Sequence, residues 1–427
     1  MKRPLYGLVF AYWITQFGTA MSGVAIPWLV LVTTGSAAKT GIAGFAEMAP
    51  YVILQAAAGP MVDRFGLRRF CLAGNTAAAL VISAIPALYA LGGLSFGVLI
   101  ALVAVAGGAR GAADAATQPL VPRMAAFGTV PNERAAGMFS VAQRTGMLTG
   151  LPLAGVLIAA AGSPVVILID GVAFAVAVVL VALLIPAAAV TAPTVSPDAA
   201  TEPALTLRLY WAQLREGLQF LRTDRLLAGI ALTVAITNLL DQALSAVLIP
   251  VWVHSRLHHA AGLGLVGGAA SIGLVAGALA GTWAGNRMPR YATYAIGFLL
   301  GGSPAFFALA VWGTLPPVMV VGVLSGLAAG ALNPIVGAVA YERIPERLQA
   351  RALGAFRSSA WIGIPFGSLL GGALTERTGL TTALLVTGTA MLVTTLAPVV
   401  FPAWRGLGDA SAPDGRALVG RMRFRGR

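Results

Sequence analysis

The sequence predicts an all-α integral membrane protein whose twelve transmembrane helices form two pseudo-symmetric bundles of six. Of its 427 residues, 58% are hydrophobic and only 10% charged, with a mean hydropathy of +0.85. That is more apolar surface than a water-soluble domain can hide. Apolar runs recur at the length a hydrocarbon core of about 30 Å demands, roughly 20 residues each. The two halves of the chain also share an internal motif.

The runs fall at 6–32, 41–62, 70–91, 95–117, 139–161, 164–187, 226–252, 262–285, 291–313, 316–340, 353–374 and 381–402. The first follows Lys2 and Arg3, but it is too long for a signal peptide and has no small-residue cleavage site, so it reads as a retained helix. Residues 188–205, rich in Ala, Thr, Pro and Ser, read as a flexible linker. After it, Leu207, Tyr210, Trp211, Leu214, Leu218 and Leu221 share one helical face and Arg208, Arg215 and Arg222 another. This is the pattern of an amphipathic helix on the membrane surface, its arginines toward lipid phosphates. The chain thus divides into a first bundle (1–187), a cytoplasmic linker (188–225), a second bundle (226–403) and a basic tail (404–427).

Orientation follows from Lys and Arg, which stay on the cytoplasmic side when they sit in short loops. With the N-terminus inside, the outer loops hold only Lys39, Arg256 and Arg377 of the 28 basic residues. Both termini are therefore expected in the cytoplasm. The net charge of +13 then reflects topology and attraction to anionic inner-leaflet lipids, and no nucleic-acid partner is expected. Cys71 is the only cysteine, which excludes an intrachain disulfide. There is no G-x4-G-K-[ST] loop for ATP, and neither His-Glu-x-x-His nor Gly-x-Ser-x-Gly occurs, so an enzyme is not expected. His254, His258 and His259 lack a third well-placed ligand, so no metal site is expected.

Two motifs organise the membrane part. Gly59-Pro-Met-Val-Asp63-Arg64-Phe-Gly66-Leu-Arg68-Arg69 forms a charged turn between the second and third runs. The pattern R-x5-G-x-P occurs once in each half, from Arg144 through Gly150 to Pro152 and from Arg357 through Gly363 to Pro365. A weaker echo pairs Gly59-x3-Asp63-Arg64 with Gly281-x3-Gly285-Asn286-Arg287.

The charged turn resembles the G-x-x-x-D-R-x-G-R-R loop of the major facilitator superfamily, with Leu67 replacing one arginine. The resemblance implies the facilitator fold and alternating access. It also implies an inner gate built on Gly59, Asp63, Arg64, Gly66 and Arg68, with Asp63 able to pair with Arg64, with Arg110 or with the start of the eleventh helix near Arg357. The stretches Asp170–Phe174, Arg215–Arg222 and Pro345–Arg351 are similar to the branch of drug:proton antiporters that holds macrolide-efflux proteins and the enterobactin exporter. Gly146, Gly150, Pro152 and Gly155 supply the elements of that class's helix-five antiporter motif, although Leu151 separates glycine from proline. Arg110 matches, in type and approximate place, a helix-four arginine linked in the family to proton coupling.

Ionisable residues inside the runs each cost about 3 kcal/mol to insert, so they face protein or water. Glu47 and Asp241 are expected in the outer half of the membrane and Arg110, Asp114, Arg144 and Arg357 nearer the inner half. Arg110 and Asp114, four apart, are placed to neutralise one another. No basic residue lies one turn from Glu47, which favours a functional role. The topology puts Asp170 near the outer end of the sixth helix, which the resemblance implies is peripheral. A carboxyl group held away from water can take up a proton outside and release it inside. The proton-coupling candidates are therefore Glu47, Asp241, Asp114 and Arg110. Tyr12, Gln16, Asn238, Gln242 and Asn333 are candidates to line a roomy, partly apolar substrate cavity, with Trp13 and Phe17 nearby. The expected protein is a monomeric exporter of a drug-like or natural-product small molecule in the cell membrane, using the proton as coupling ion and no other cofactor. A uniporter or importer, or a non-transporting receptor, stays open at this point.

Overall fold

The computed structural model describes residues 3–186, 207–284, 290–330, 332, 339, 342–345, 348–401 and 404. Among the described residues the chain is helical, with no strand. The first half comprises α1 (Arg3–Thr34), α2 (Ala37–Ala57), α3 (Gly59–Phe65), α4 (Leu67–Ala90), α5 (Phe96–Phe127), α6 (Asn132–Ala161) and α7 (Ser163–Leu184). After α8 (Leu207–Thr223), the second half comprises α9 (Arg225–Arg256), α10 (Ala261–Ala284), α11 (Tyr291–Val311), α12 (Leu315–Gly330), α13 (Gln349–Trp361), α14 (Ile364–Thr378) and α15 (Leu380–Val400). Among the described residues nine helices (α1, α4–α7, α9–α11 and α15) are long and apolar enough to cross a membrane, and α12 is apolar but shorter.

Proline and glycine set the departures from the expected boundaries. The second run breaks at Ala58, because Pro60 lacks the N–H that would continue α2 and instead opens α3. Gly66 then turns the chain into α4 with φ 83°, a left-handed conformation in which a side chain would be strained. The expected loop between the fourth and fifth runs is mostly helix: α5 continues to Phe127, and α6 begins at Asn132 after a tight turn in which Thr129 has φ 52°. Pro152 lies inside a continuous α6, whereas its repeat mate Pro365 opens α14 after a break at Ile362 and Gly363. In α9 a π turn over Leu244–Leu248 precedes Pro250, which absorbs the proline's missing hydrogen bond.

The internal repeat is visible in the packing. A Cβ on Gly150 would lie 2.6 Å from the Phe17 carbonyl of α1, and one on Gly363 would lie 2.6 Å from the Ala235 carbonyl of α9. The same motif thus seats the fifth helix on the first and the eleventh run on the seventh. On α8, Phe220 and Leu221 are buried in a cluster with Ala352 and Ala355 of α13, while Arg215 and Arg222 are exposed. Its apolar face therefore covers protein rather than lipid. Residues 188–205, nearly all of the tail, and the repeat echo at Gly285 and Arg287 lie outside the described residues.

Two seams join the bundles at the end expected to face outward. On one, Gly41 and Gly44 of α2 pack against Ser368 of α14, with a Cβ on Gly44 falling 2.6 Å from Ser368 Oγ. Glu376 at the end of α14 accepts hydrogen bonds from the Ser36 hydroxyl and the Ala38 N–H, both at 3.1 Å, and so caps the start of α2. On the other seam, Gly155 of α6 meets Gly264 of α10, and Pro152 packs over Gly268. The rings of Trp28 and His254 meet edge to face at 5.6 Å between the seams. Lipid tails supply no hydrophobic drive between helices, so these small residues act by letting backbones approach to van der Waals contact. Arg144 shares the helix face of Gly155 about three turns away, and it is exposed.

Gly44→Val is expected to prise this end apart, an overpacking cost of about 1–3 kcal/mol. Thiol labelling of Ser36→Cys reads it out against a low background, since Cys71 is buried. Faster labelling in the Gly44→Val background is the expected result; unchanged labelling would mean the seam does not close this end.

Candidate functional site

Small residues build the site by letting α5 lie against α2. Gly107 and Gly111 of α5 touch the carbonyls of Glu47 and Tyr51, contacts that any side chain would block. Arg110, between those glycines, thereby reaches across the first bundle. Its Nη1 donates to Glu47 Oε1 at 2.6 Å, and its Nη2 donates to Ser22 Oγ of α1 at 2.7 Å and to Asp170 Oδ2 of α7. Phe174, one turn along from Asp170, sets its ring 5.3 Å from the guanidinium carbon. Arg110 is 4% exposed, Glu47 5% and Asp170 0%. Asp170 packs directly on Gly18 of α1, where no side chain intervenes.

This arrangement corrects three expectations. Glu47 and Arg110 lie at one depth, not in opposite halves of the membrane. Arg110 pairs across the bundle with Glu47 and Asp170 rather than along its own helix with Asp114. Asp170, expected to be peripheral, is the most deeply buried of the three charges. Its signal was present in the sequence: a cation within a span needs acids at its own depth, and those acids need not be near in sequence.

Asp114 instead accepts a hydrogen bond from the Tyr51 hydroxyl at 2.9 Å, and that hydroxyl also receives one from Gln55 Nε2 at 3.3 Å. Tyr12, Thr15, Asn75, Asp114 and Thr117 line a small polar recess beside Cys71. Tyr12 is buried and stacked on Phe139 of α6 at 3.8 Å between ring centroids. Gln16 lies beside Gly146, where the backbone of α6 crosses α1.

In α9 three polar residues divide their work. Asn238 Nδ2 donates to the Ala360 carbonyl at 2.9 Å, and Gln242 Nε2 donates to Ser368 Oγ at 3.3 Å, so both tie α9 to α13 and α14. Asp241, between them in sequence, is exposed, and its carboxylate has no hydrogen-bond partner among the described residues. The π turn that begins three residues later re-aims the rest of the helix.

In the charged turn, Arg68 Nε and Nη2 donate to the carbonyls of Ile185 at 2.7 Å and Ala182 at 2.8 Å. It thus caps the C-terminus of α7, where unpaired carbonyls favour a cation. Arg64 is exposed beside the Phe65 ring, and Arg357 is also exposed. The side chain of Asp63, the burial of Gly59 and all of Asn333 lie outside what is described, as does the pairing of Asp63 with Arg357.

Arg110→Met is expected to destabilise the protein strongly, by about 3–5 kcal/mol, because it leaves Glu47 and Asp170 buried without a counter-ion. Tyr51→Phe removes the two hydrogen bonds of its hydroxyl, to Asp114 and from Gln55, and should cost about 1–2 kcal/mol. Thermal unfolding of both variants in detergent checks the order; equal midpoints would contradict a cluster held by Arg110.

The family model of the Major Facilitator Superfamily matches residues 8–259 and 231–418. The chain is 29% identical over 421 residues to the multidrug efflux pump Tap of Mycobacterium tuberculosis (strain H37Rv), covering 97% of each chain. It is 28% identical over 416 residues to multidrug efflux pump Tap of Mycolicibacterium fortuitum, covering 96% of this chain and 99% of that one. Among solved structures, the nucleoside transporter NupG is similar, with a TM-score of 0.69 at 14% identity over 93% of this chain and 98% of that one. A bacterial homologue of the human lysosomal transporter Spinster has a TM-score of 0.67 at 14% identity, over 95% of this chain and 96% of that one. With the family model spanning both bundles, the chain belongs to the Major Facilitator Superfamily: it is a multi-pass membrane protein and a secondary transporter, not an enzyme.

Proposed function

We propose that this transporter exports an amphipathic drug-like or natural-product molecule from the cell in exchange for protons. The observation that carries the reading is the buried cluster of Arg110 with Glu47 and Asp170, a set of exchangeable charges far from bulk water. The relatives named multidrug efflux pumps support the substrate class. Asp241, exposed on α9 and without a partner among the described residues, is suited to meet a cationic group on that substrate.

The protein works in the cell membrane as a monomer, with both termini cytoplasmic and its basic residues against inner-leaflet lipids. In this orientation the seams of α2 with α14 and of α6 with α10 close the outer end, as an exporter needs while it loads from the cytoplasm. Rocking of the bundles then opens these seams and brings the charged turn of α3 toward α13. The coupling energy suffices: one proton falling through about 100 mV yields about 2.3 kcal/mol. At about 1.4 kcal/mol per decade, that supports a gradient of somewhat under a hundredfold.

The test is transport by reconstituted protein of lipophilic cations, macrolides and siderophores under an imposed pH gradient. Accumulation that follows the gradient is expected, and flux indifferent to it would point to a uniporter. Asp241→Asn should weaken transport of the cations roughly tenfold, the loss of about 1.4 kcal/mol of ion pairing, while sparing neutral macrolides. Equal effects on both classes would return Asp241 to structure.

A further inference from the structure

From the charge balance of the buried cluster, we infer that Asp170 and Glu47 jointly hold one exchangeable proton through Arg110, which makes Asp170 a full member of the proton site. The inference deepens the proton-coupled reading and rests on it only for the use made of that proton.

Among the described residues every charged group that faces the cluster is accounted for. Ser22 of α1, Glu47 of α2, Arg110 of α5 and Asp170 of α7 make up its polar contacts. From α4 the neighbour is Ser83, packed on Gly171, which carries no charge. Asp114 sits one turn from Arg110 and is occupied by Tyr51. One guanidinium therefore faces two carboxylates, and with both ionised the cluster carries a net negative charge in a space from which water is excluded. An uncompensated buried charge is among the most expensive arrangements a protein can hold, and a proton is the smallest ligand that removes it.

A second observation points to the same ligand. Among the described residues Asp170 Oδ1 is buried without a hydrogen-bond partner, turned toward Gly18, while its other oxygen meets Arg110, whose Nε is likewise unpartnered. A carboxylate sharing one cation and leaving one oxygen bare is poorly satisfied as an anion. A proton from water bonds to one carboxylate oxygen of the pair, at Glu47 or at Asp170, and Arg110 keeps its ion pair with the carboxylate that stays ionised. It returns to water by the reverse route. No other bond changes, and Arg110 remains a cation throughout.

Because α1, α2, α5 and α7 all contribute, occupancy by the proton changes how tightly Arg110 binds those four helices to one another. The proton-loaded cluster leaves Arg110 a single strong partner; the empty one clamps two.

Infrared spectroscopy across a pH titration tests this on purified wild-type protein in detergent, where no transport is required. A titrating carboxylic-acid carbonyl band is expected, and it should vanish in Asp170→Asn and also in Glu47→Gln, since either change leaves Arg110 with one carboxylate and no need of a proton. It should persist in Asp114→Asn and Asp241→Asn. In proteoliposomes, Asp170→Asn should lose at least tenfold in gradient-driven accumulation while retaining substrate-for-substrate exchange, which a merely unfolded protein would not. Persistence of the band in Asp170→Asn overturns the inference. If Asp170→Asn does not give monodisperse protein, Glu47→Gln decides, and persistence of the band there overturns it equally. Loss of the band together with gradient-indifferent flux in wild type would leave the proton site standing and remove antiport.

Discussion

A cation held inside a membrane bundle must find its counter-charges within the bundle, and in this protein Arg110 meets that constraint by joining four helices. Its guanidinium presents donors in a fixed plane, so Glu47, Ser22 and Asp170 must arrive from α2, α1 and α7 at set positions around α5. The helices can come that close only because Gly107, Gly111 and Gly18 leave the space. The first bundle is thus organised from a charged centre outward, with apolar packing accommodating the geometry that the ion pairs impose.

Among the described residues the second bundle repeats the packing but not the ion cluster, and its own ion pair joins Arg343 to Asp224 at 2.9 Å at the start of α9. Gly363 sits over α9 as Gly150 sits over α1, so both halves share one scaffold. Where the first half has its ion cluster, α9 offers one carboxylate, Asp241, without a partner among the described residues, while its neighbours bind α13 and α14. A division of labour follows from this asymmetry, with proton handling in one half and substrate contact at the other. Glycine and serine seams connect the two, and such contacts separate at low cost because few directional bonds are broken. The cap of Glu376 on the start of α2 is the polar exception at that end.

Most of the fold was legible in the sequence because a membrane imposes a length and a composition on every spanning helix. The apolar runs, the charged turn between the second and third, and the R-x5-G-x-P repeat each led to an observed helix or contact. Breaks at Ala58 and Gly363 were harder to place, since proline in a span can bend a helix, interrupt it or be carried without either, as Pro152 is. The centre of the site was only half legible. Arg110 and Glu47 were singled out as charges in lipid, but sequence spacing favoured Asp114 as the partner of Arg110 because only near neighbours along a helix can be read from one chain. The resemblance implies a peripheral helix for Asp170, yet a single inward-facing residue on such a helix reaches the other helices of the bundle when the facing residue is glycine, as Gly18 is. Asn238 and Gln242 read equally well as cavity or packing residues, and only the position of α13 and α14 separates the two.

The central claim is that substrate and proton compete for one transporter. The most direct test is to add substrate to purified protein in weakly buffered detergent solution and follow the pH. The account predicts release of about one proton per bound substrate, the single negative charge left over when one guanidinium faces two carboxylates, at a pH where the site is loaded. Substrate binding with no proton release at any pH would contradict it.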